Sequence, residues 1–245
     1  MEFKKFSSLE NTYRQNLIDK VQHESKDGGK WIATEKIHGA NFSFWCDGKE
    51  IKVASRSQFV DGTFYNCQAV INKYSQGILD WCVRNNIKEI VIYGELFGEG
   101  VQKEVKYGQR DFRAFDVVID GEVQGKIGAL AIANDCGVNF SPIIKIGTFK
   151  ECMQLPNTFQ SWLTPDDCVN EDNFAEGLVI EPVNPTYFNN GSRIYFKNKT
   201  PAFSEKKRVP REKKVFELTE DESELLNDLL QYNTPQRVSN VISKI

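Results

Sequence analysis

The sequence is poor in the residues that build most metal centres and covalent cross-links. Of its 245 residues only two are histidine. With His23 and His38 alone, a multi-histidine metal site is excluded, and any metal would be a hard ion held by carboxylates, which points toward magnesium chemistry. The cysteines, Cys46, Cys67, Cys82, Cys136, Cys152 and Cys168, include no close pair. That spacing suggests neither a disulfide framework nor a CxxC zinc site. Long apolar runs are also missing. The first residues, MEFKKFSSLE, lack a signal core, and the longest uncharged apolar stretch, Gly128 to Ala133, is far too short to cross a bilayer. A soluble intracellular protein without membrane contact is expected. No GxxxxGK[ST] phosphate loop is present. The nearest approach, Gly121 to Gly125 and Lys126, is one residue short, is followed by Ile127, and reads as a hairpin turn.

An excess of positive charge is lacking too, since the formal net charge is −3. Bulk electrostatics therefore do not draw this chain to nucleic acid. The basic charge is local. From Arg193 to Lys214 the chain carries Arg193, Lys197, Lys199, Lys206, Lys207, Arg208, Arg211, Lys213 and Lys214 against only Glu205 and Glu212. Such a run is usually a solvated tail, but this one follows directly on a strand-like segment, so a phosphate-facing rim competes with that reading.

The pattern of elements is mixed. Trp31 to Ile37 reads as a strand, and Asn41 to Cys46 with Glu50 to Ser57 as a hairpin turning at Asp47-Gly48, with Lys52, Ala54 and Arg56 on one face. A helix is expected from Asn66 to Asn85, where Val70, Ile71, Tyr74, Ile78, Leu79 and Trp81 recur at helical spacing. Glu89 to Tyr93 reads as a short buried strand delivering Gly94-Glu95 at its end. Phe112 to Ile119 is a strand running into a turn at Asp120-Gly121, and Leu130 to Cys136 a helix. Leu178 to Glu181 and Arg193 to Lys197 are two more strands. Without strict βαβ alternation, an α+β domain built on antiparallel sheet is favoured over a doubly wound fold. Near the end, Thr219 to Glu222 is a capping box opening an amphipathic helix, and Thr234-Pro235 starts another that ends without a cap at Ile245. This suggests a helical domain cut short.

The segment Glu35-Lys36-Ile37-His38-Gly39-Ala40-Asn41 puts a lysine at a strand end just before a tight polar turn, where it can face a pocket. Alone this is weak, since most strand-end lysines are solvated. Its company is Tyr93-Gly94-Glu95-Leu96-Phe97-Gly98, the pair Phe115-Asp116, Ala175-Glu176-Gly177-Leu178-Val179-Ile180 and Phe196-Lys197-Asn198-Lys199. In order and spacing these resemble the motifs of the covalent nucleotidyltransferases: DNA ligases, RNA ligases and messenger RNA capping enzymes. His38 stands where aspartate is usual in DNA ligases and capping enzymes. The chain resembles the RNA ligase 2 family of T-even bacteriophages and trypanosome editing ligases, also through FKKFSSLEN, Val101-Gln102-Lys103 to Asp111-Phe112, Phe203 to Lys206 and Val241 to Lys244.

This resemblance implies a nucleotidyltransferase domain of antiparallel sheets flanked by helices, ATP-grasp-like, over residues 1–216, with 217–245 beginning a C-terminal helical domain. It implies that Lys36 attacks the α-phosphorus of ATP and carries AMP, with Mg²⁺ or Mn²⁺ held through Glu176. The amine must shed a proton first, which crowding by Lys197, Lys199 and the metal promotes. Nucleotide contacts are implied for Glu35, Lys36, Ile37, Asn41, Arg56, Glu95, Phe115, Lys197 and Lys199. Phe115 would stack on adenine, with core packing as its alternative. Glu95 would accept from the ribose hydroxyls. Asp116 ranks below Glu95 because a structural acceptor role explains it as well, and His38 either steers pyrophosphate or holds the turn. Lys106 and Arg110 touch RNA or simply belong to an exposed loop. The partner implied is RNA with 3′-hydroxyl and 5′-phosphate ends, duplex or nicked, handled by a monomer. The alternatives are a DNA ligase or capping guanylyltransferase on the same fold, against which Lys-Ile-His-Gly argues, and a non-catalytic RNA-binding module, which would not require the nucleophile. If the chain is truncated, it should adenylylate itself well and seal ordinary 5′-phosphate ends poorly.

Overall fold

A computed structural model of the chain describes residues 1–168 and 172–203. Its elements in order are β1 (Glu10–Asn11), α1 (Gln15–His23), β2 (Trp31–Lys36), β3 (Ala40–Cys46), β4 (Ile51–Ser55), β5 (Phe59–Val60), α2 (Gln68–Arg84), β6 (Ile90–Phe97), β7 (Asp111–Ile119), β8 (Glu122–Val123), α3 (Lys126–Asp135), β9 (Ile143–Gly147), α4 (Phe149–Met153), β10 (Gly177–Pro182) and β11 (Phe196–Lys199). They form two sheets, one ordered β1-β11-β10-β2-β9 and the other β5-β4-β3-β6-β7-β8. Every pairing is antiparallel except β1 with β11, which is parallel. The α+β class read from the sequence holds. The expected domain boundary at 216/217, the helices from Thr219 and Thr234, and the basic residues from Lys206 to Lys214 lie outside the described residues.

Local chemistry explains the main turns. Asp47 Oδ1 accepts the N–H groups of Lys49 and Glu50 at 3.0 and 3.1 Å, and Gly48 takes φ 79°, closing the β3–β4 hairpin. Asp120 and Gly121 both have positive φ, 51° and 87°, the geometry that a two-residue hairpin needs between β7 and β8. Thr148 and Glu151 form a reciprocal capping box that starts α4.

Each sheet packs one face on helices. In the larger sheet Phe42, Phe44, Ile90, Ile92 and Phe112 meet Val70, Tyr74, Ile78 and Trp81 of α2 and Ala129 and Ala133 of α3. In the smaller sheet Trp31, Ala33, Leu178, Ile180 and Phe196 meet Ile18 and Val21 of α1 and Phe149 and Cys152 of α4. With those faces consumed, the remaining two are left to meet each other, and strand alternation sends Lys36, Glu181, Lys197 and Lys199 there from the smaller sheet. The sheets are tied by a buried, charge-balanced quartet: Arg193 bonds Asp116 of β7, and its Nη2 lies 3.0 Å from Glu181 Oε2 of β10. Lys126 of α3 lies 2.8 Å from Glu181 Oε1 and 3.5 Å from Asp116 Oδ1.

Several boundaries differ from the sequence reading. Strand β6 continues to Phe97, so Gly94-Glu95 lies within it rather than at its end. The last strand begins at Phe196, and the half-buried Arg193 before it is tied into the quartet instead of standing on a phosphate-facing rim. Helix α3 starts at Lys126, four residues earlier than its apolar spacing indicated. Arg56 falls just past the end of β4.

Candidate active site

Glu176, immediately before β10, is the centre of the site. Lys36 Nζ donates to its Oε2 at 2.8 Å, Lys199 Nζ pairs with Oε1 at 3.1 Å, and His38 Nδ1 lies 3.3 Å from Oε2. The strand register explains the convergence. Gly177 is the Cα partner of Lys36 on one side and of Lys199 on the other, so one row across β2, β10 and β11 reads lysine, glycine, lysine. Gly177 has φ 147°, and a Cβ there would lie 2.1 Å from the Asn198 carbonyl oxygen. Only glycine fits, and its bare Cα leaves the two lysines free to close over the Glu176 carboxylate. Lys197 lies one row further along, sharing Val179 as a partner with Thr34.

The electrostatics follow from this packing. Burial pushes the Glu176 carboxyl up, but the His38 hydrogen bond and the Lys36 and Lys199 charges outweigh it and hold the group at about 2. Burial pulls His38 down, yet Glu176 and Glu104, whose Oε2 is 3.0 Å from His38 Nε2, raise it above the usual histidine range. A ring with both nitrogens protonated satisfies both carboxylates. The Tyr107 hydroxyl accepts the His38 backbone N–H at 2.9 Å and fixes the turn after Lys36. In this structure the Glu176 carboxylate lies between the Lys36 amine and the Lys199 ammonium.

The larger sheet faces this cluster with Asn41, Glu95 and Arg113, consecutive partners across β3, β6 and β7. Burial lifts Glu95 to about 7 against the pull of Lys36. Phe115 packs against the cluster of Trp45, Ala54, Val91 and Tyr93, its ring centroid 5.0 Å from that of Phe6.

Three of the residues with implied nucleotide contacts have other partners in this structure. The Glu35 side chain points to the helix-covered face, where its oxygens accept the Ser161 hydroxyl at 2.6 Å and the Trp162 N–H at 2.9 Å. Ile37 is buried with Phe97, Val105 and Tyr107. Arg56 donates to Ser8 Oγ at 2.6 Å in the N-terminal segment, not to the Glu176 cluster. Arg110 is likewise occupied by the backbone, donating to the carbonyls of Asn66 and Glu99. Sequence reasoning missed Glu104, Tyr107 and Ser161. The first two sit in the stretch after Val101 that carried the family resemblance, which was their only signal. Among the described residues, no group of three or more His, Cys, Asp or Glu side chains is arranged to hold a metal ion.

A family model described as RNA ligase matches residues 29–199 of this chain. The chain belongs to the RNA ligase family. Its fold is similar to that of solved Naegleria gruberi RNA ligases. A ligand-free point mutant of that enzyme aligns at 20% identity with a TM-score of 0.61, covering 82% of this chain and 56% of the other. A mutant with ATP and Mn aligns at 21% identity and TM-score 0.60, covering 82% and 57%. One with AMP and Mn gives 21%, 0.59, 82% and 57%. The chain therefore spans less than two thirds of the length of these RNA ligases, and the likeness at such identity concerns the fold. The matched span contains every member of the Glu176 cluster. Among the described residues no helix is long and apolar enough to cross a membrane.

Proposed function

We propose that this chain is an ATP-dependent RNA ligase that joins a 3′-hydroxyl to a 5′-phosphate through a lysyl-AMP on Lys36. The observation that carries the proposal is the Lys36 amine held 2.8 Å from a buried carboxylate whose other oxygen binds Lys199. The Naegleria structures with ATP and with AMP support the nucleotide.

In the first step the Lys36 ammonium passes a proton to water, the free amine attacks the α-phosphorus, the bond to the bridging oxygen breaks and pyrophosphate leaves. Triphosphate oxygens arriving at Lys199 and Lys36 compete with Glu176 for both cations, which loosens the pair that holds the amine in its resting position. His38, its ring held by Glu104 and its backbone by Tyr107, turns its Nδ1–H from Glu176 to the departing pyrophosphate. In the second step a 5′-phosphate oxygen attacks the same phosphorus and the P–N bond breaks, regenerating the amine. In the third the 3′-hydroxyl attacks the 5′-phosphorus and AMP leaves. Glu95 accepts from the ribose hydroxyls and Phe115 stacks on the base. Glu176 is ionised and is a single carboxylate, which fits Mg²⁺ or Mn²⁺ shared with substrate phosphates and water rather than an all-protein cage. Such an ion supplies charge neutralisation at the phosphates.

The same proposal takes the substrate as nicked or duplex RNA and the enzyme as a monomer acting inside the cell. Its test is intact-protein mass spectrometry after incubation with ATP and Mg²⁺, with the peptide mapped. An AMP adduct on Lys36, absent from folded Lys36→Ala protein, is expected. An adduct on folded Lys36→Ala protein refutes the assignment, and efficient labelling by GTP moves the chain to capping chemistry.

A further inference from the structure

Lys126 is the residue that the failed phosphate-loop match left over. Its side chain is only 4% exposed, and it opens α3. A cation at the first position of a helix opposes the helix dipole, and a buried ammonium is costly unless paired. Helix formation therefore does not account for it.

Its contacts do. Besides Glu181 and Asp116, Lys126 Nζ donates to the Phe115 carbonyl oxygen at 2.6 Å. Phe115 is the extra residue of a bulge in the β6–β7 ladder: Tyr93 pairs with Asp116 and Gly94 with Ala114, and Phe115 between them has no Cα partner. A bulged residue leaves the ladder, and its side chain is re-aimed by whatever fixes its peptide plane. Here that is the ammonium of Lys126. The lysine is itself fixed, because its backbone N–H donates to the Val183 carbonyl at 2.7 Å, just past β10 in the opposite sheet. Gly125 before it approaches Asn184 so closely that a Cβ would lie 2.8 Å from Oδ1. A rigid link thus runs from β10 through α3 to the peptide that carries the Phe115 ring.

We propose that Lys126 is a positioning residue for nucleotide binding, setting the angle at which Phe115 meets the base. The inference rests on the reading above that Phe115 stacks on adenine. The rest of the quartet holds the Lys126 side chain in place without touching the nucleotide.

The test is the kinetics of self-adenylylation over a range of ATP concentrations. Lys126→Met alone leaves the quartet with an uncompensated negative charge, so it is paired with Glu181→Gln, which restores neutrality and guards against failure to fold. The Lys126→Met/Glu181→Gln protein should show the KM for ATP raised roughly tenfold, as for loss of a charged hydrogen bond, with kcat within about twofold. Introduced into Phe115→Ala protein, the same pair should raise KM no further. An unchanged KM in the folded double variant overturns the inference, as does an equal rise in the Phe115→Ala background. If Phe115→Ala alone leaves KM unchanged, the base-stacking reading fails and the inference falls with it. If Phe115→Ala raises KM and the lysine variant does not, only the inference fails.

Discussion

Replacing Glu95 by glutamine keeps the shape of the side chain and removes its charge. In the folded protein burial, reinforced by the Glu176 charge, raises the Glu95 carboxyl from 4.5 to about 7 against the pull of Lys36, His38 and the Gly39 N–H. A carboxyl raised in the folded state binds its proton more tightly there than in the unfolded chain. The wild-type protein should therefore lose stability as the pH climbs from about 4.5 to about 7, and the loss is complete above that. Moving the value from 4.5 to about 7 corresponds to about 3 kcal/mol. Glutamine carries no such penalty. Urea denaturation of both proteins should show the stability of Glu95→Gln relative to wild type improving by about 2–3 kcal/mol between about pH 5 and about pH 8. Self-adenylylation should fall in the same variant, because the ribose hydroxyls lose their charged acceptor. The site would thus hold Glu95 at a cost in stability. Parallel stability profiles for the two proteins across that pH range would refute the reasoning.

Lys197→Ala and Lys199→Ala should each remove roughly 2 kcal/mol or more of transition-state stabilisation, read from single-turnover labelling with α-labelled ATP. Unchanged rates would detach these lysines from the phosphates. Gly177→Ala should destabilise the fold by about 2–4 kcal/mol, because its Cβ would lie 2.1 Å from the Asn198 carbonyl at a strained φ; thermal unfolding measures it, and a wild-type melting temperature would contradict the register described. Ser161→Ala leaves the buried Glu35 carboxylate with the Trp162 N–H and should cost about 1–3 kcal/mol in denaturant unfolding. A loss of nucleotide binding without loss of stability would instead return Glu35 to the ligand pocket.

Much of this molecule is local and was readable without coordinates. The hairpin at Asp47-Gly48, the strand leading to Lys36 and the amphipathic α2 are written in turn chemistry and in periods of two and 3.6 residues. The family was legible because several short motifs occur in one order. What sequence spacing does not carry is which face a strand presents after pairing. Glu35 and Ile37 flank Lys36 in the chain, yet alternation turns Glu35 to the helix-covered face and Ile37 enters an apolar cluster, so neighbours in sequence are separated by the sheet. Short elements such as β1, β9 and α4 have too few residues for a period and owe their existence to the partners they find.

The sequence by itself determined the residue types that the chemistry needs and their order along the chain: a strand-end lysine, a carboxylate before a glycine, two lysines two apart. Only the tertiary structure decided that Gly177 brings Lys36 and Lys199 onto one carboxylate 140 residues from the first of them in sequence. It likewise decided that Asp116, Lys126, Glu181 and Arg193, polar residues from four separate segments, close into one buried network. The physical reason is that strand register and charge pairing across two sheets are long-range choices. They are made when buried charges must find opposite partners, and no local pattern records which partner that will be.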